Sequence, residues 1–190
     1  MSREPLDRET IRGELIAVPG ELTSAYLALQ LWAPGARTVS MPFDQIIEAV
    51  LEGQVRVGVI IHEGQLTYGA TGLTLLEDLG RWWKDETGLP LPLGGNVIRR
   101  DLGSDLIRRI SGHLRESIAY SLDHREEAMD YAMGFARGLD RDTADEFVGM
   151  YVNQRTLDYG PDGRDAVRLF LQRGVDAGII PGPVEVEFSD

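Results

Sequence analysis

The 190-residue chain contains no cysteine, and this absence excludes several kinds of site. Disulfide bonds, thiolate nucleophiles, iron–sulfur clusters and cysteine-based zinc sites are all ruled out. Histidine is also scarce, because only His62, His113 and His124 are present, at wide spacing. The sequence therefore predicts no thiol chemistry and no metal site rich in cysteine or histidine.

Long hydrophobic runs and an excess of positive charge are missing as well. The longest apolar run, residues 57–61, is far too short to span a bilayer, and the first ten residues do not resemble a signal peptide. Asp plus Glu number 31 against 19 Lys plus Arg, which gives a net charge of −12. Such an acidic surface repels nucleic-acid phosphates and anionic membranes. We therefore expect a cytoplasmic protein that binds neither nucleic acid nor membranes.

The first half of the chain alternates apolar strands with amphipathic helices. Apolar or β-branched runs at residues 14–19, 37–41 and 54–61 predict three strands. Between them, apolar residues recur at helical spacing in residues 22–32 and 46–51. This order predicts an α/β fold built on a βαβαβ unit with a mainly parallel sheet.

The second half consists mostly of predicted helices. Residues 89–95 (LPLPLGG) predict an extended stretch, and together with residues 96–98 they predict either a connector or a hinge strand. From Asp101 onward the pattern is helical, and four apolar residues recur every fourth position on one helix face: Leu106, Ile110, Leu114 and Ile118. Such helices either pack on each other or cover a sheet that this chain lacks, and we favour the missing sheet. We therefore expect the isolated chain to be marginally stable or to self-associate through uncovered helices.

One candidate for catalysis is His62, which follows the third predicted strand. Ligands of parallel α/β sheets bind beyond the carboxyl ends of the strands, and a histidine there can act as a general base near neutral pH. The alternative is a histidine that only forms a structural hydrogen bond at the strand end. Glu63 could orient the ring, although neighbours on an extended chain point to opposite sides.

A second candidate lies after the first predicted strand, where residues 23–25 (TSA) begin a helix. The free N–H groups and the dipole of a helix start attract an anion, and the hydroxyl of Ser24 and the small Ala25 allow close approach. The alternative is ordinary N-capping by Thr23 or Ser24. Together with His62, this start predicts a pocket that binds an anion at one end and moves a proton at the other.

Several longer strings resemble one enzyme family over nearly the whole chain. They are residues 18–26 (VPGELTSAY), 58–68 (GVIIHEGQLTY), 78–94 (DLGRWWKDETGLPLPLG), 99–102 (RRDL) and 151–153 (YVN). They resemble the 1,4-dihydroxy-6-naphthoate synthases of the futalosine route to menaquinone. The sibling family of chorismate dehydratases shares the third string but not the Ile-Ile-His-Glu sequence, so His62 distinguishes the two.

The resemblance implies a fold, an activity and a site. The fold would be the two-lobed fold of type II periplasmic solute-binding proteins, with the substrate, cyclic dehypoxanthine futalosine, in the cleft. The reaction would be that of a lyase without metal or cofactor, which forms 1,4-dihydroxy-6-naphthoate. His62 would be the proton acceptor, and Ser24 and Ala25 would contact the substrate.

The chain departs from this family at its beginning. Relatives start with a further segment that carries a Pro-Asn-Asp-type motif and most of the first lobe's sheet, and neither that motif nor a Lys-Leu-Ser-type substrate contact occurs here. We therefore expect an N-terminally truncated chain in which residues 1–92 form the second α/β lobe. Residues 93–190 would supply the returning strand and the C-terminal helices of an incomplete first lobe. An inactive remnant and a non-catalytic, small-molecule-binding module of the solute-binding type are the alternative interpretations.

Overall fold

A computed structural model describes residues 1–136 and 139–189 of the chain. It confirms the α/β class, and the described residues contain three strands, ten α-helices and three short 3-10 helices. The strands are β1 (Leu15–Val18), β2 (Arg37–Ser40) and β3 (Val57–Gly58). The helices are α1 (Arg8–Gly13), α2 (Ser24–Trp32), α3 (Ile46–Leu51), α4 (Gly64–Thr67), α5 (Leu79–Thr87), α6 (Ser104–Asp123), α7 (Arg125–Met133), α8 (Arg141–Tyr151), α9 (Gln154–Leu157) and α10 (Gly160–Asp176). None of these helices combines the length and the apolar character that crossing a bilayer requires.

The three strands form one parallel sheet in the order β2-β1-β3. Leu15 of β1 pairs with Arg37 of β2, and Ile16 pairs with Val57 of β3. The predicted βαβαβ unit is therefore present, with β1 in the centre. Because parallel neighbours end at the same edge, the segments that follow all three strands start from one side of the sheet.

The third strand is shorter than the predicted residues 54–61. Its ladder covers Val57 and Gly58, and the Val59 N–H donates one further bond to the Ala17 carbonyl. Beyond that point β1 gives way to Pro19, which cannot donate a ladder bond, so no strand of the described residues lies beside residues 60–61. The apolar run there reflects partial burial rather than a longer strand.

The alternation of side chains along β1 fills two separate cores. Ile16 and Val18 point to one face and pack in a cluster with Leu29 and Trp32 of α2. Ala17 points to the other face, in a cluster with three residues of α3: Ile46, Ala49 and Val50. A Cβ on Gly58 would lie 2.5 Å from Ile46 Cγ2, so glycine in β3 allows α3 to approach the sheet closely.

A third core joins helices α2, α5 and α10. Trp83 of α5 is fully buried beside Leu27 and Phe170, while its neighbour Trp82 is half-buried. Asp78 caps α5, because its carboxylate accepts hydrogen bonds from the N–H groups of Gly80 (2.9 Å) and Arg81 (3.0 Å). The adjacent tryptophans therefore divide between the core and its rim.

The described residues separate into two compact units. Unit 1 comprises residues 1–94 and 165–184, and unit 2 comprises the described residues of 95–164 and 185–190. Within unit 1 lie the sheet and all three cores.

Unit 2 is helical and has a thin core. Of the two alternatives for residues 96–98, the structure supports the connector, since this segment pairs with no strand among the described residues. In the described part of unit 2, the buried hydrophobic side chains are those of Met129 and Ala144. Ion pairs link α7 to α8, with Arg125 2.8 Å from Asp145. Exposed ion pairs contribute at most about 1 kcal/mol each, so they do not replace a core.

The predicted apolar stripe lies on α6 and is partly open to solvent. Leu106, Ile110 and Leu114 are 40%, 41% and 42% exposed. No residue of α6 is fully buried among the described residues. The expected uncovered helix face is therefore present, and self-association through it stays a prediction.

Replacing Ile110 with glutamate is expected to reduce self-association, because a charge in the stripe opposes burial of that face against a second copy. Sedimentation velocity over a range of protein concentrations measures the effect. Gly112→Glu is the matched control, because residue 112 lies on the opposite side of the helix and a Cβ there meets nothing within 4 Å. A wild-type chain that stays monomeric at all concentrations contradicts the prediction.

Candidate active site

The segments that follow the three strands carry the candidate site residues. Ser24 lies after β1, Phe43 lies after β2 and His62 lies after β3. The carboxyl ends of adjacent parallel strands share one edge of the sheet, which is where α/β proteins bind ligands. The structure therefore places Ser24, Ala25 and His62 at the same sheet edge, on segments that follow two adjacent strands.

The start of α2 is capped by Thr23 rather than by Ser24. The Thr23 hydroxyl accepts a hydrogen bond from the Tyr26 N–H at 3.1 Å. The backbone carbonyl of Thr23 accepts a second one from the Leu27 N–H. Among the described residues, the N–H groups of Ser24 and Ala25 find no acceptor. They are therefore the two donors that a bound anion would meet at this helix end.

The Ser24 hydroxyl connects the start of α2 to the Pro/Gly-rich connector. Its Oγ donates a hydrogen bond to the backbone carbonyl of Leu93. A hydroxyl has one donor and two acceptor positions, so Ser24 Oγ can still accept a hydrogen bond from a ligand. The residue is half-buried, which leaves it partly accessible.

His62 is largely enclosed by its neighbours. Its side chain is 12% exposed, and its ring lies 5.4 Å from the ring of Phe43, centroid to centroid, at an angle of 51°. The backbone N–H of Gly64 donates a hydrogen bond to His62 Nδ1 at 3.0 Å. The other ring nitrogen, Nε2, is buried and has no hydrogen-bond partner in the part of the chain that the structure describes.

Glu63 lies closer to the histidine ring than an extended backbone would allow. Its backbone is helical (φ −53°, ψ −19°), because the chain turns into α4 directly after His62. The Glu63 Oε2 atom is 3.7 Å from His62 Nδ1. Of the two alternatives for Glu63, orienting the ring or pointing away from it, the structure supports the first, and the carboxylate is placed to stabilise a positive charge on the ring.

These contacts define what the site can do chemically. The hydrogen bond from Gly64 places the lone pair of neutral His62 on Nδ1 and its proton on Nε2. In this state the ring can donate at Nε2, while the Nδ1 lone pair is engaged by Gly64, and the carboxylate of Glu63 lies beside it. The site combines a base, an adjacent negative charge and, after β1, the free donors of a helix start.

Two neighbours of His62 were not predicted from the sequence. Phe43 follows β2 at the same sheet edge as Ser24 and His62, so applying the carboxyl-end rule to all three strands would have included it. Gly64 had no comparable signal, because its contact with the ring depends on the turn into α4.

The remaining histidines lie on the surface, as predicted. His113 is exposed beside Glu116, and the exposed His124 stacks on Tyr120 with ring centroids 3.9 Å apart. Within residues 1–136 and 139–189, no group of three or more His, Asp or Glu side chains is arranged to hold a metal ion.

The comparisons with known proteins agree on one family. A family model described as menaquinone biosynthesis matches residues 1–176. The chain is 43% identical over 184 residues to the 1,4-dihydroxy-6-naphthoate synthase of Thermus thermophilus. The aligned region covers 96% of this chain and 67% of that relative. The synthase of Streptomyces coelicolor is 40% identical over 186 residues, with 94% and 66% covered.

A solved structure supports the same relationship. The crystal structure of a protein from Archaeoglobus fulgidus matches with a TM-score of 0.88 at 41% identity, covering 94% of this chain and 67% of that one. The chain spans about two thirds of the length of each of these relatives. The chain belongs to the menaquinone biosynthesis family that includes the 1,4-dihydroxy-6-naphthoate synthases.

Proposed function

We propose that the chain carries the proton-accepting residue of a 1,4-dihydroxy-6-naphthoate synthase, a lyase whose substrate is cyclic dehypoxanthine futalosine. The observation that carries this proposal is the environment of His62. Its ring is enclosed beside Phe43 at the carboxyl edge of the sheet, with Glu63 Oε2 3.7 Å from Nδ1. Family membership supports the same activity, because both curated relatives are named as this synthase.

In the proposed reaction, His62 takes a proton from the substrate. The carboxylate of Glu63, 3.7 Å from the ring, stabilises the imidazolium that forms. The electron pair left on the substrate drives release of the sugar-derived fragment, and the naphthoate remains. The reaction as proposed needs no metal and no organic cofactor.

The start of α2 would bind the substrate. The N–H groups of Ser24 and Ala25 would donate to an anionic or carbonyl oxygen, and Ser24 Oγ would accept a further hydrogen bond. We also propose that the fold is that of the type II solute-binding proteins, supported by the parallel sheet of unit 1 with helices on both faces. A cytoplasmic location stays a prediction.

The test is to incubate the chain with cyclic dehypoxanthine futalosine and to detect 1,4-dihydroxy-6-naphthoate by liquid chromatography and mass spectrometry. Calorimetry measures binding in parallel. Formation of the naphthoate supports the proposal. Binding without product supports a non-catalytic binding module, and the absence of both contradicts the proposal for this chain.

Replacing Ser24 with alanine is expected to raise the substrate Kd about fivefold, which corresponds to one ordinary hydrogen bond. Ser24→Thr keeps the hydroxyl and is expected to bind like the wild type. Calorimetric titration of both variants checks the prediction. An alanine variant with wild-type affinity would show that the Ser24 hydroxyl serves only the contact with Leu93.

A further inference from the structure

We propose that Phe43 contacts the aromatic ring system of the naphthoate and makes the site selective for flat aromatic ligands. This inference rests on the proposed function, because the naphthoate is the product of the proposed reaction. It deepens that function by adding a residue that distinguishes one class of ligand from another. Three observations support it: the position of Phe43 at the sheet edge, its contact with His62 and its exposed ring.

The rings of Phe43 and His62 meet across the end of the central strand. β2 and β3 flank β1 in the sheet, so their backbones lie about 10 Å apart. Phe43 follows β2 and His62 follows β3, yet their ring centroids are only 5.4 Å apart. The two side chains therefore reach toward each other over the end of β1. The segment that follows β1 leads to Ser24 and Ala25, so the ring pair and the helix start border the same part of the sheet edge.

The phenyl ring of Phe43 does not serve to fill a core. None of the three cores within the described residues includes it, whereas Ile46 and Val50 of the adjoining α3 are completely buried. Phe43 is 40% exposed. Single exposed apolar residues are common on protein surfaces, so exposure by itself indicates no function. What distinguishes Phe43 is that one part of its ring contacts the proposed catalytic histidine while another part is open to a ligand.

The naphthoate matches this combination of groups. Its two fused rings are flat and apolar, and aromatic rings gain from offset or edge-to-face contact beyond the burial of their area. Its carboxylate is an anion, which the free N–H groups of Ser24 and Ala25 would attract. An aliphatic carboxylate of similar size would keep the second contact and lose the first. Phe43 therefore predicts a preference for aromatic over aliphatic carboxylates.

The experiment measures, by calorimetry with the full chain, the binding of two carboxylates that differ in aromaticity. The probes are 2-naphthoate and its saturated counterpart, decahydro-2-naphthoate. The wild-type chain is expected to bind 2-naphthoate about fivefold more tightly, the usual gain of one aromatic pair. Phe43→Leu keeps an apolar side chain without a ring, so it should raise the Kd of 2-naphthoate about fivefold and leave that of the saturated probe nearly unchanged.

Two further variants serve as controls. Phe43→Tyr keeps the ring and should keep the aromatic preference. Phe135→Leu makes the same replacement at a phenylalanine that is 71% exposed in unit 2, and it should bind both probes like the wild type. A wild-type chain that binds neither probe or shows no preference overturns the inference, as does a Phe43→Leu chain that retains the preference.

Binding of these probes needs no turnover, so its outcome is separate from that of the proposed function. If the chain is active, Phe43→Leu is expected to raise KM about fivefold at nearly unchanged kcat, as for a contact made equally in the ground state and the transition state. A lower kcat at unchanged KM would show that Phe43 only orients His62, which also overturns the inference. An aromatic preference in a chain that forms no naphthoate would contradict the proposed function and leave the contact with Phe43 standing.

Discussion

Replacing His62 with alanine is expected to lower kcat for naphthoate formation about 10²–10⁴-fold, the usual contribution of a general base. The His62 side chain is 12% exposed on the segment that follows β3, and Glu63 Oε2 lies 3.7 Å from its Nδ1. Alanine removes the proton acceptor without adding bulk. Steady-state kinetics with the natural substrate measure the loss, and calorimetry is expected to show substrate binding within a few-fold of the wild type.

Matched controls separate the loss of a base from the loss of a histidine elsewhere. His113→Ala and His124→Ala remove exposed histidines of α6 and its C-terminal boundary, and both should turn over like the wild type. His62→Gln keeps a polar side chain of similar reach but cannot accept a proton at neutral pH, so it should be as impaired as His62→Ala. Unchanged turnover in His62→Ala would contradict the proposed role.

Replacing Trp83 with alanine is expected to reduce the free energy of unfolding by about 3–5 kcal/mol. Trp83 is completely buried in the core between α2, α5 and α10. Its ring meets Phe170 edge to face at 5.1 Å and lies under the Arg173 guanidinium at 5.2 Å. Its Nε1–H donates to the Pro90 carbonyl at 3.1 Å. Alanine leaves a large cavity and an unpaired carbonyl, and urea unfolding followed by far-UV circular dichroism measures the cost.

The neighbouring residue provides the control for Trp83. Trp82→Ala also removes a tryptophan side chain from α5, but Trp82 is half-buried at the rim of the core. The loss in unfolding free energy should therefore be less than half of that for Trp83→Ala. Trp83→Phe keeps most of the buried ring and loses mainly the bond to Pro90, with an expected cost of about 1–2 kcal/mol. Equal losses for Trp82→Ala and Trp83→Ala would contradict this account of the core.

The sheet was predictable because its signal is local. β-branched and apolar runs separated by helical periodicity predict βαβαβ, and the alternation of Ile16, Ala17 and Val18 between two cores follows from the pleat. The order β2-β1-β3 was not predicted, because several orders satisfy the same local pattern. The length of β3 depends on where β1 ends, at Val18, and a partner strand's end is not visible in the run at residues 54–61.

Part of the candidate site was predictable from the positions of the predicted strands. The rule of strand carboxyl ends selects Ser24 and His62 from positions in the sequence alone. The contacts of His62 with Glu63 and Gly64 depend on a helical turn that starts immediately after the ring. No periodicity in so short a segment indicates that turn, so the sequence left open whether Glu63 orients the ring or points away from it.

The positions of the tryptophans determine which part of the chain fluorescence can report on during unfolding. All three tryptophans of the sequence, Trp32, Trp82 and Trp83, lie in unit 1, and residues 95–164 contain none. Indole fluorescence therefore reports on unit 1 alone, whereas the helical signal in circular dichroism comes from both units. Coincident unfolding curves from the two probes would mean a single cooperative transition, and separate midpoints would give each unit its own stability.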